Sequence, residues 1–279
     1  MDKRLAPGLH IVATPIGNLG DLSARAAETL RNVDRILVED TRVTAKLLAH
    51  IGAKVPMMRY DDHSTEAERD RIIDLLGEAA VALVSDAGTP LISDPGYKLV
   101  RAARAAGHDV HTVPGPCAAV AALTIAGLPT DRFLFLGFLP AKAKARSDAI
   151  AEVASLRATL VLYEAGPRLS DTLSALSAQL GFRDAAVARE LTKLHEECVT
   201  GTLADLAERY ANAPPRGEIV IVVGPPAEMA TVSDDVIDAM LDKALQRLSA
   251  SRAAAEVAEQ LNIPRKRAYA RALEKGGRD

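Results

Sequence analysis

Tryptophan is absent from this chain, cysteine occurs twice, and aromatic residues make up 3% of it. So few rings argue against a flat platform on which RNA bases stack. Cys117 and Cys198 lie far apart. They give neither a zinc-ligand spacing nor a disulfide framework, which fits a reducing, cytoplasmic setting. No cluster of His, Asp and Glu has ligand spacing, so no metal is implied. No apolar run approaches the ~20 residues of a membrane span, and the opening MDKRLAPGLH lacks the apolar centre of a signal peptide. An excess of one charge is missing too: the formal net charge is −3. Any binding of nucleic acid must therefore come from local basic patches. Internal repeats and low-complexity tracts are lacking.

What the 279 residues do contain is a regular alternation of apolar runs with amphipathic stretches. HIVATP (10–15), RILVED (35–40), VPMMRY, VALVSD (81–86) and DVHTVPGP (109–116) read as strands. Between them lie SARAAETLRNV with Ser23 as N-cap, TAKLLAHIG (44–52) closed by Gly52, STEAERDRIIDLLGEA (64–79) opened by Ser64 or Thr65, and GYKLVRAARAAG. CAAVAALTIAGL is small and apolar all round, which reads as a buried helix. The alternation predicts an α/β fold with a largely parallel sheet. A second unit starts near Thr130: FLFLGFLP, ATLVLYEAG, DAAVARELTK and GEIVIVVGPP as strands with helices between, in mixed topology. AEMATVSDD then leads as a linker into an all-helical end. The expected domains are 1–117, 118–228, and 229–279 as linker and helical tail.

Four strand ends are rich in Gly and Pro: ATPIGNLGD, LVSDAGTPLISDPG, TVPGPCA and VLYEAGP. Ligands of open α/β sheets sit at such ends. Glycine lets backbone approach a ligand and proline fixes the turn, so backbone amides and carbonyls would do the binding. No lysine stands in LVSDAGTPLISDPG to meet a triphosphate. The pattern suits a ligand with an adenine, a ribose and a zwitterionic amino acid. VEDTR (38–42) fits two readings, an Asp–Arg pair or helix N-cap on the surface, or a polar wall of the active site. RELTKLHEE reads as a solvated edge, and its lone His195 is a weak signal for a base.

The C-terminal piece, SRAAAEVAEQLNIPRKRAYARALEKGG, places Ala254, Val257 and Ala258 on one face behind Ser251 as cap. It resembles a helix-turn-helix. Its second helix sets Arg265, Lys266, Arg267 and Arg271 against Glu274, a pattern able to contact phosphates. A small helical domain packed on a neighbour is the other reading.

Together, ATPIGNLGDLSARA, ILVEDTR, LVSDAGTPLISDPG, VPGPCA and LVLYEAGPR resemble the tetrapyrrole methylase superfamily. They are closest to its ribosomal RNA branch, the 16S rRNA (cytidine-2′-O)-methyltransferases, over residues 9 to 226. The resemblance implies a two-domain class III methyltransferase fold with a small helix-turn-helix-like end. It implies S-adenosyl-L-methionine bound between the domains, a homodimer, and 16S rRNA or the small ribosomal subunit as partner, with the decoding region as target. By the same resemblance the cofactor set is Pro15, Asp86, Gly88, Thr89, Ile92, Ser93, Cys117, Ala118, Tyr163, Glu164 and Gly217, with Glu218 beside it. Thr89 stands where the family usually has Asp, and Asp86 is expected to orient its own loop. The alternative is a tetrapyrrole methyltransferase of the precorrin or uroporphyrinogen type. Lys142, Lys144 and Arg146, together with the basic tail helix, favour RNA.

Methylation of a ribose needs in-line positioning and removal of the hydroxyl proton. The candidates for that removal are Asp40 and Glu39, with Arg42 positioning a phosphate or the ribose. Glu164 and Glu190 stand behind them.

Overall fold

The computed structural model describes residues 5–61, 63–212, 215–226, 233–261 and 263–276. Of the linker read at 227–235, residues 227–232 lie outside the described residues. The chain forms two compact units, Met1–Pro226 and Ala227–Asp279.

The first unit opens with a five-stranded sheet built from β1 (Gly8–Val12), β2 (Arg35–Val38), β3 (Met57–Arg59), β4 (Ala80–Leu83) and β5 (Val110–Val113), in the order β3-β2-β4-β1-β5. Every pairing in it is parallel. Parallel strands covered on both faces read as continuous apolar runs, and all four residues of β4 are buried. Helices α1 (Ala24–Asn32) and α2 (Thr41–His50) contribute Ala26, Leu30, Leu47 and Leu48 to a core with Val12, Ile36 and Val38. Helices α3 (Glu66–Leu76) and α4 (Tyr97–Ala105) contribute Ile72, Leu76, Leu99 and Ala103 to another, with Leu9, Leu37 and Leu83. The period of two along a strand sorts Ile36 and Val38 from Leu37.

The caps explain the boundaries. Ser23 accepts from the Ala26 amide. Thr65, not Ser64, opens α3 in a reciprocal capping box with Glu68. Helix α2 begins at Thr41 rather than Thr44, because Asp40 caps it through the Arg42 amide at 2.8 Å.

Next come α5 (Ala118–Ile125) and a second sheet of β6 (Phe133–Phe138), β7 (Thr159–Ala165), β8 (Asp184–Arg189), β9 (Glu197–Thr202) and β10 (Glu218–Val223). Its order is β6-β7-β10-β8-β9, with β6 and β7 parallel and the other neighbours antiparallel. Helices α6 (Ala143–Val153), α7 (Leu169–Leu180) and α8 (Leu203–Ala211) supply Ile150, Leu173 and Leu206 to the core on one face. On the other face α5 lays Ala119, Ala122 and Leu123 against Val161 and Val220. Helix α5 is not buried all round as its composition suggested: Val120 and Ile125 face outward. The charged stretch read as a solvated edge ends in β9, whose Glu197 pairs with Arg189 across the ladder.

The second unit consists of α9 (Asp234–Leu245), α10 (Ala250–Gln260) and α11 (Arg265–Gly276). Ala254, Val257 and Ala258 are in its core as expected, with Ile237, Leu241, Ala268 and Ala272. Ser249, not Ser251, holds the cap position of α10, and the Ser251 hydroxyl meets Arg265 at 3.2 Å. The helical repeat that makes Asp234, Asp238 and Asp242 one stripe of α9 makes Arg267, Arg271 and Lys275 one stripe of α11. The two stripes pair rung by rung: Arg267 to Asp234 at 2.7 Å, Arg271 to Asp238, and Lys275 to Asp242 at 2.6 Å. The Arg271 guanidinium holds the Asp238 carboxyl below its ordinary range. An isolated exposed pair contributes little, but a ladder acts as a network and is screened by salt. Asp238→Asn is expected to lower the melting temperature of this unit at low salt, with the difference shrinking at high salt. A lowered carboxyl pKa stabilises above its unfolded value, near ~4, and the stabilisation is lost as pH falls through the folded value. Acid melting should therefore erase the same difference; a difference that survives both salt and acid would remove the ladder from the account.

Candidate active site

The strand order places the site. After β1 the chain moves toward β2 on one side, and after β4 it crosses to β5 on the other. Loops leaving adjacent strands in opposite directions open a crevice at their carboxyl ends. Residues 13–23 and 84–96 are those loops, and 114–117, after β5, forms a third wall.

Hydrogen bonds hold the walls together. Thr14 and Gly88 exchange backbone bonds, N to O, at 2.8 and 3.1 Å. The Thr14 hydroxyl donates to the Ser85 carbonyl at 3.2 Å. The Thr89 hydroxyl donates to the Pro116 carbonyl at 2.8 Å, joining the second wall to the third. Leu91 and Ser93 have φ of 73° and 64°, in the left-handed region. Two such non-glycine residues two positions apart store strain, which persists where the surroundings fix the backbone. Gly96 ends the loop at φ 136°, where an added Cβ would lie 2.7 Å from the Leu83 side chain.

These loops enclose a cavity of about 370 Å³, a size typical of small-molecule sites. The first sheet's side supplies Ile16, Ala87, Gly88, Thr89, Ile92, Ser93 and Asp94, and α5 presents Cys117 and Ala118. From the second sheet come Phe138, Tyr163, Glu190, Leu191, Lys193 and Gly217 to Val220. The Tyr163 hydroxyl accepts from the Ala119 amide at 3.2 Å at the start of α5. Its ring meets Phe135 and Phe138 edge-on, with centroids 4.9 and 5.7 Å away. Burial pushes the Tyr163 phenol above its ordinary range, so it stays neutral and can only donate or accept hydrogen bonds.

The profile of the tetrapyrrole (corrin/porphyrin) methylases matches residues 8–207, and that of the RsmI C-terminal HTH domain matches 230–276. A ribosomal RNA small subunit methyltransferase I of Erythrobacter litoralis (strain HTCC2594) is 55% identical over 97% of this chain and 96% of its own length. That of Xylella fastidiosa (strain 9a5c) is 49% identical over 94% of this chain and 98% of its own. The chain belongs to the ribosomal RNA small subunit methyltransferase I family. Among solved structures, diphthine synthase matches with a TM-score of 0.62 at 17% identity, covering 77% of this chain and 89% of its own. The uroporphyrin-III-C-methyltransferase of Thermus thermophilus matches at 0.55 and 24%, over 77% and 93%. Both share the fold.

For this member of the methyltransferase I family, the fold gathers Gly88, Thr89, Ile92, Ser93, Cys117, Ala118, Tyr163 and Gly217 around one cavity. Four of the expected site residues stand outside this lining. Pro15 does not line the cavity; its neighbour Ile16 does. The Asp86 carboxylate accepts from the Asp40 amide at 3.2 Å, tying the loop after β4 to the one after β2 rather than facing the cavity. Glu164 follows Tyr163 on β7 and so points to the opposite face. It is fully buried, accepts from the Thr172 hydroxyl at 2.6 Å and from the Ala165 amide at 2.8 Å, and pairs with Arg168 at 3.2 Å.

Asp40 is the fourth. Its carboxylate caps α2 and grips the Arg42 guanidinium at 2.6 Å. The Arg42 hydrogen bonds hold its pKa down at about 2, which makes it a poor proton acceptor. Neither Asp40 nor Arg42 lines the cavity. Asp40→Asn keeps a capping oxygen and is expected to leave turnover within threefold of the parent, measured as initial rate. A drop of a hundredfold with cofactor affinity intact would restore Asp40 as a base. Glu39 adds by like charge to the raised pKa of Asp94, which burial chiefly causes, and does not itself line the cavity.

The lining residues that sequence reasoning passed over are Ile16, Ala87, Asp94, Phe138, Leu191, Lys193, Ile219 and Val220. Phe138 and Asp94 stand inside quoted stretches. Leu191 and Lys193 belong to the stretch read as a solvated edge. Glu190 and Thr192 there have φ of 51° and 65°, and Lys193 folds back over Gly17, within 2.9 Å of where a Cβ on that glycine would sit. Among the described residues no group of three His, Cys, Asp or Glu could hold a metal ion, and no helix is long and apolar enough to cross a membrane.

Proposed function

We propose that this chain transfers a methyl group from S-adenosyl-L-methionine to the 2′-oxygen of a cytidine ribose in 16S rRNA, in the decoding region of the small ribosomal subunit, in the cytoplasm. The observation that carries the reading is the cavity between two sheets in a chain of the methyltransferase I family. Its chemistry suits the donor. Gly88, at φ 90° and with Ile16 3.2 Å from where a Cβ would sit, keeps backbone open to the ligand. Ile16, Ile92 and Leu191 offer apolar surface for an adenine. The amides at the start of α5 and the backbone of 217–220 suit the hydroxyls and carboxylate of an adenosyl amino acid. When bound, the donor supplies an electrophilic methyl on a sulfonium that leaves as a neutral thioether. The protein has to bind it, exclude water, align the ribose and take up one proton.

RNA as acceptor is supported by charge at the start of α6. Lys142 occupies the N-cap position of that helix and gives no side-chain cap, and Lys144 and Arg146 stand in its first turn. Cations there oppose the helix dipole, an arrangement that an anionic ligand compensates. This turn follows the strand that carries Phe138 into the cavity. In the C-terminal unit Arg267 and Arg271 are occupied by α9, whereas Arg265 and Lys266 stay exposed for phosphates. A homodimer completes the proposal. Val120, Ile125 and Phe133 are exposed, and Val120 and Phe133 border a groove with Leu123 and Leu128, an apolar surface suited to a second copy.

The test is calorimetric titration with S-adenosylmethionine, followed by transfer of a labelled methyl to small ribosomal subunits and analysis of the methylated nucleoside. A 2′-O-methylcytidine product is the expected result. Binding without transfer to RNA, together with transfer to uroporphyrinogen, would move the substrate to tetrapyrroles. Replacing both Lys142 and Lys144 by Glu is expected to raise the KM for ribosomal subunits roughly tenfold or more, with the cofactor Kd unchanged. An unchanged KM would take this turn out of the RNA surface.

A further inference from the structure

Asp40 is held by Arg42, Glu164 is buried away from the cavity, and Glu190 is paired with Lys193 at 3.4 Å, so none of the three is placed to take the proton of the ribose hydroxyl. Three carboxylates stand in the cavity wall, Asp94, Glu190 and Glu218; Glu218 is exposed, and Asp94 is half-buried. Asp94 lines the cavity in the same strained turn as Ile92 and Ser93, behind left-handed Leu91 and Ser93 and ahead of Pro95 and Gly96. Across from it are Tyr163, Phe138 and the first residues of β10. We propose that Asp94 is the general base of the methyl transfer, placed to accept the 2′-hydroxyl proton of the bound ribose. The proposal rests on the reading of the site as a ribose 2′-O-methyltransferase.

The step balances without a further reactant. The ribose oxygen forms a bond to the methyl carbon as the carbon–sulfur bond breaks, and sulfur keeps that electron pair as a thioether. The O–H proton passes to the Asp94 carboxylate, which later releases it to water. Burial, the leading cause, raises the Asp94 carboxyl to about 6, against the lowering effect of the Ser85 hydroxyl. Glu39 after β2, Asp86 after β4 and Glu218 on β10 add to the rise by like charge, and Tyr163 on β7 is within electrostatic reach. A carboxylate with that value is ionised at neutral pH yet is a stronger base than an exposed one. The strained turn fixes the backbone that carries Asp94 in the cavity wall.

Four readouts on the full-length protein test it. Asp94→Asn should lower kcat on small ribosomal subunits by roughly a hundredfold or more, with the S-adenosylmethionine Kd within threefold by calorimetry. The parent rate should rise with pH through about 6 to a plateau, and that limb should vanish in the variant. Asp94→Glu should recover part of kcat. The fourth readout needs neither cofactor nor RNA. A carboxyl whose folded pKa is raised loses stability as pH climbs from its unfolded value, near ~4, to its folded one. The Asn variant should therefore melt higher than the parent above pH 6 and show no such advantage near pH 4. A variant with parental kcat, or one that loses kcat and cofactor affinity together, overturns the assignment. A parent that binds no S-adenosylmethionine, or transfers no methyl to RNA, overturns the underlying reading and the assignment with it. The melting curves then still report whether Asp94 carries its raised carboxyl.

Discussion

Gly88→Val is expected to abolish S-adenosylmethionine binding, with affinity reduced a hundredfold or more by calorimetry, while the protein stays folded by circular dichroism. Gly88 has φ 90°, which a β-branched residue adopts only under strain of about 1–3 kcal/mol. Its amide and carbonyl are both tied to Thr14 across the crevice, so the backbone cannot relax by turning away. An added Cβ would stand 3.2 Å from Ile16 and 3.6 Å from the Pro116 carbonyl, and the valine methyls would extend into the cavity. Strain and occlusion act together, so Gly88→Ala should lose less, roughly tenfold. A cofactor Kd for the valine variant within threefold of the parent would place the donor elsewhere.

The second large effect concerns stability. Glu164→Ala should destabilise the first unit by about 3–5 kcal/mol in urea unfolding, in the range found when one member of a buried ion pair is removed. The carboxylate is fully buried. Its removal leaves the Thr172 hydroxyl without its acceptor and Arg168 without its counter-charge, beneath the packed face of α7. Glu164→Gln keeps an oxygen for Thr172 or for the Ala165 amide and should cost about half as much. Cofactor affinity should not change in the glutamine variant. A variant of parental stability that no longer binds S-adenosylmethionine would return Glu164 to the binding site.

These two residues show what a linear pattern can carry. Gly88 was readable because glycine and proline crowd a strand end only where backbone must turn tightly or meet a ligand. Tyr163 and Glu164 were both assigned to the cavity, although adjacent strand residues face opposite sides. The period of two in β7 already separates them. Which of the two faces the cavity depends on where α5 and α7 pack. VEDTR carried its two readings side by side, and only the position of the Arg42 guanidinium on Asp40 decided for the cap.

Asp94 lies in the middle of LVSDAGTPLISDPG, but an aspartate between serine and proline looks like any turn aspartate. Its raised carboxyl comes from burial and from like charge on Glu39 and Glu218, which belong to two other segments of the chain, and on Asp86 of its own loop. The basic tail helix gives the converse case. Arg267 and Arg271 looked available for phosphate, and the acids that take them, Asp234 and Asp238, lie 33 positions earlier. The i, i+4 spacing of both sets is visible in the letters; their pairing requires the helices to lie side by side.

The sequence by itself determined the alternation of strands and helices, the cap at Ser23, and the Gly- and Pro-rich loops at the strand ends. Those features depend on contacts within a few residues, whose spacing the chain states directly. Tertiary structure decided which acids are base, cap or buried partner, which lysines and arginines remain exposed, and that a charged stretch after β8 closes the cavity with Glu190, Leu191 and Lys193. Each of those outcomes is set by desolvation and by charges tens of residues away, and neither quantity exists until the two sheets face each other.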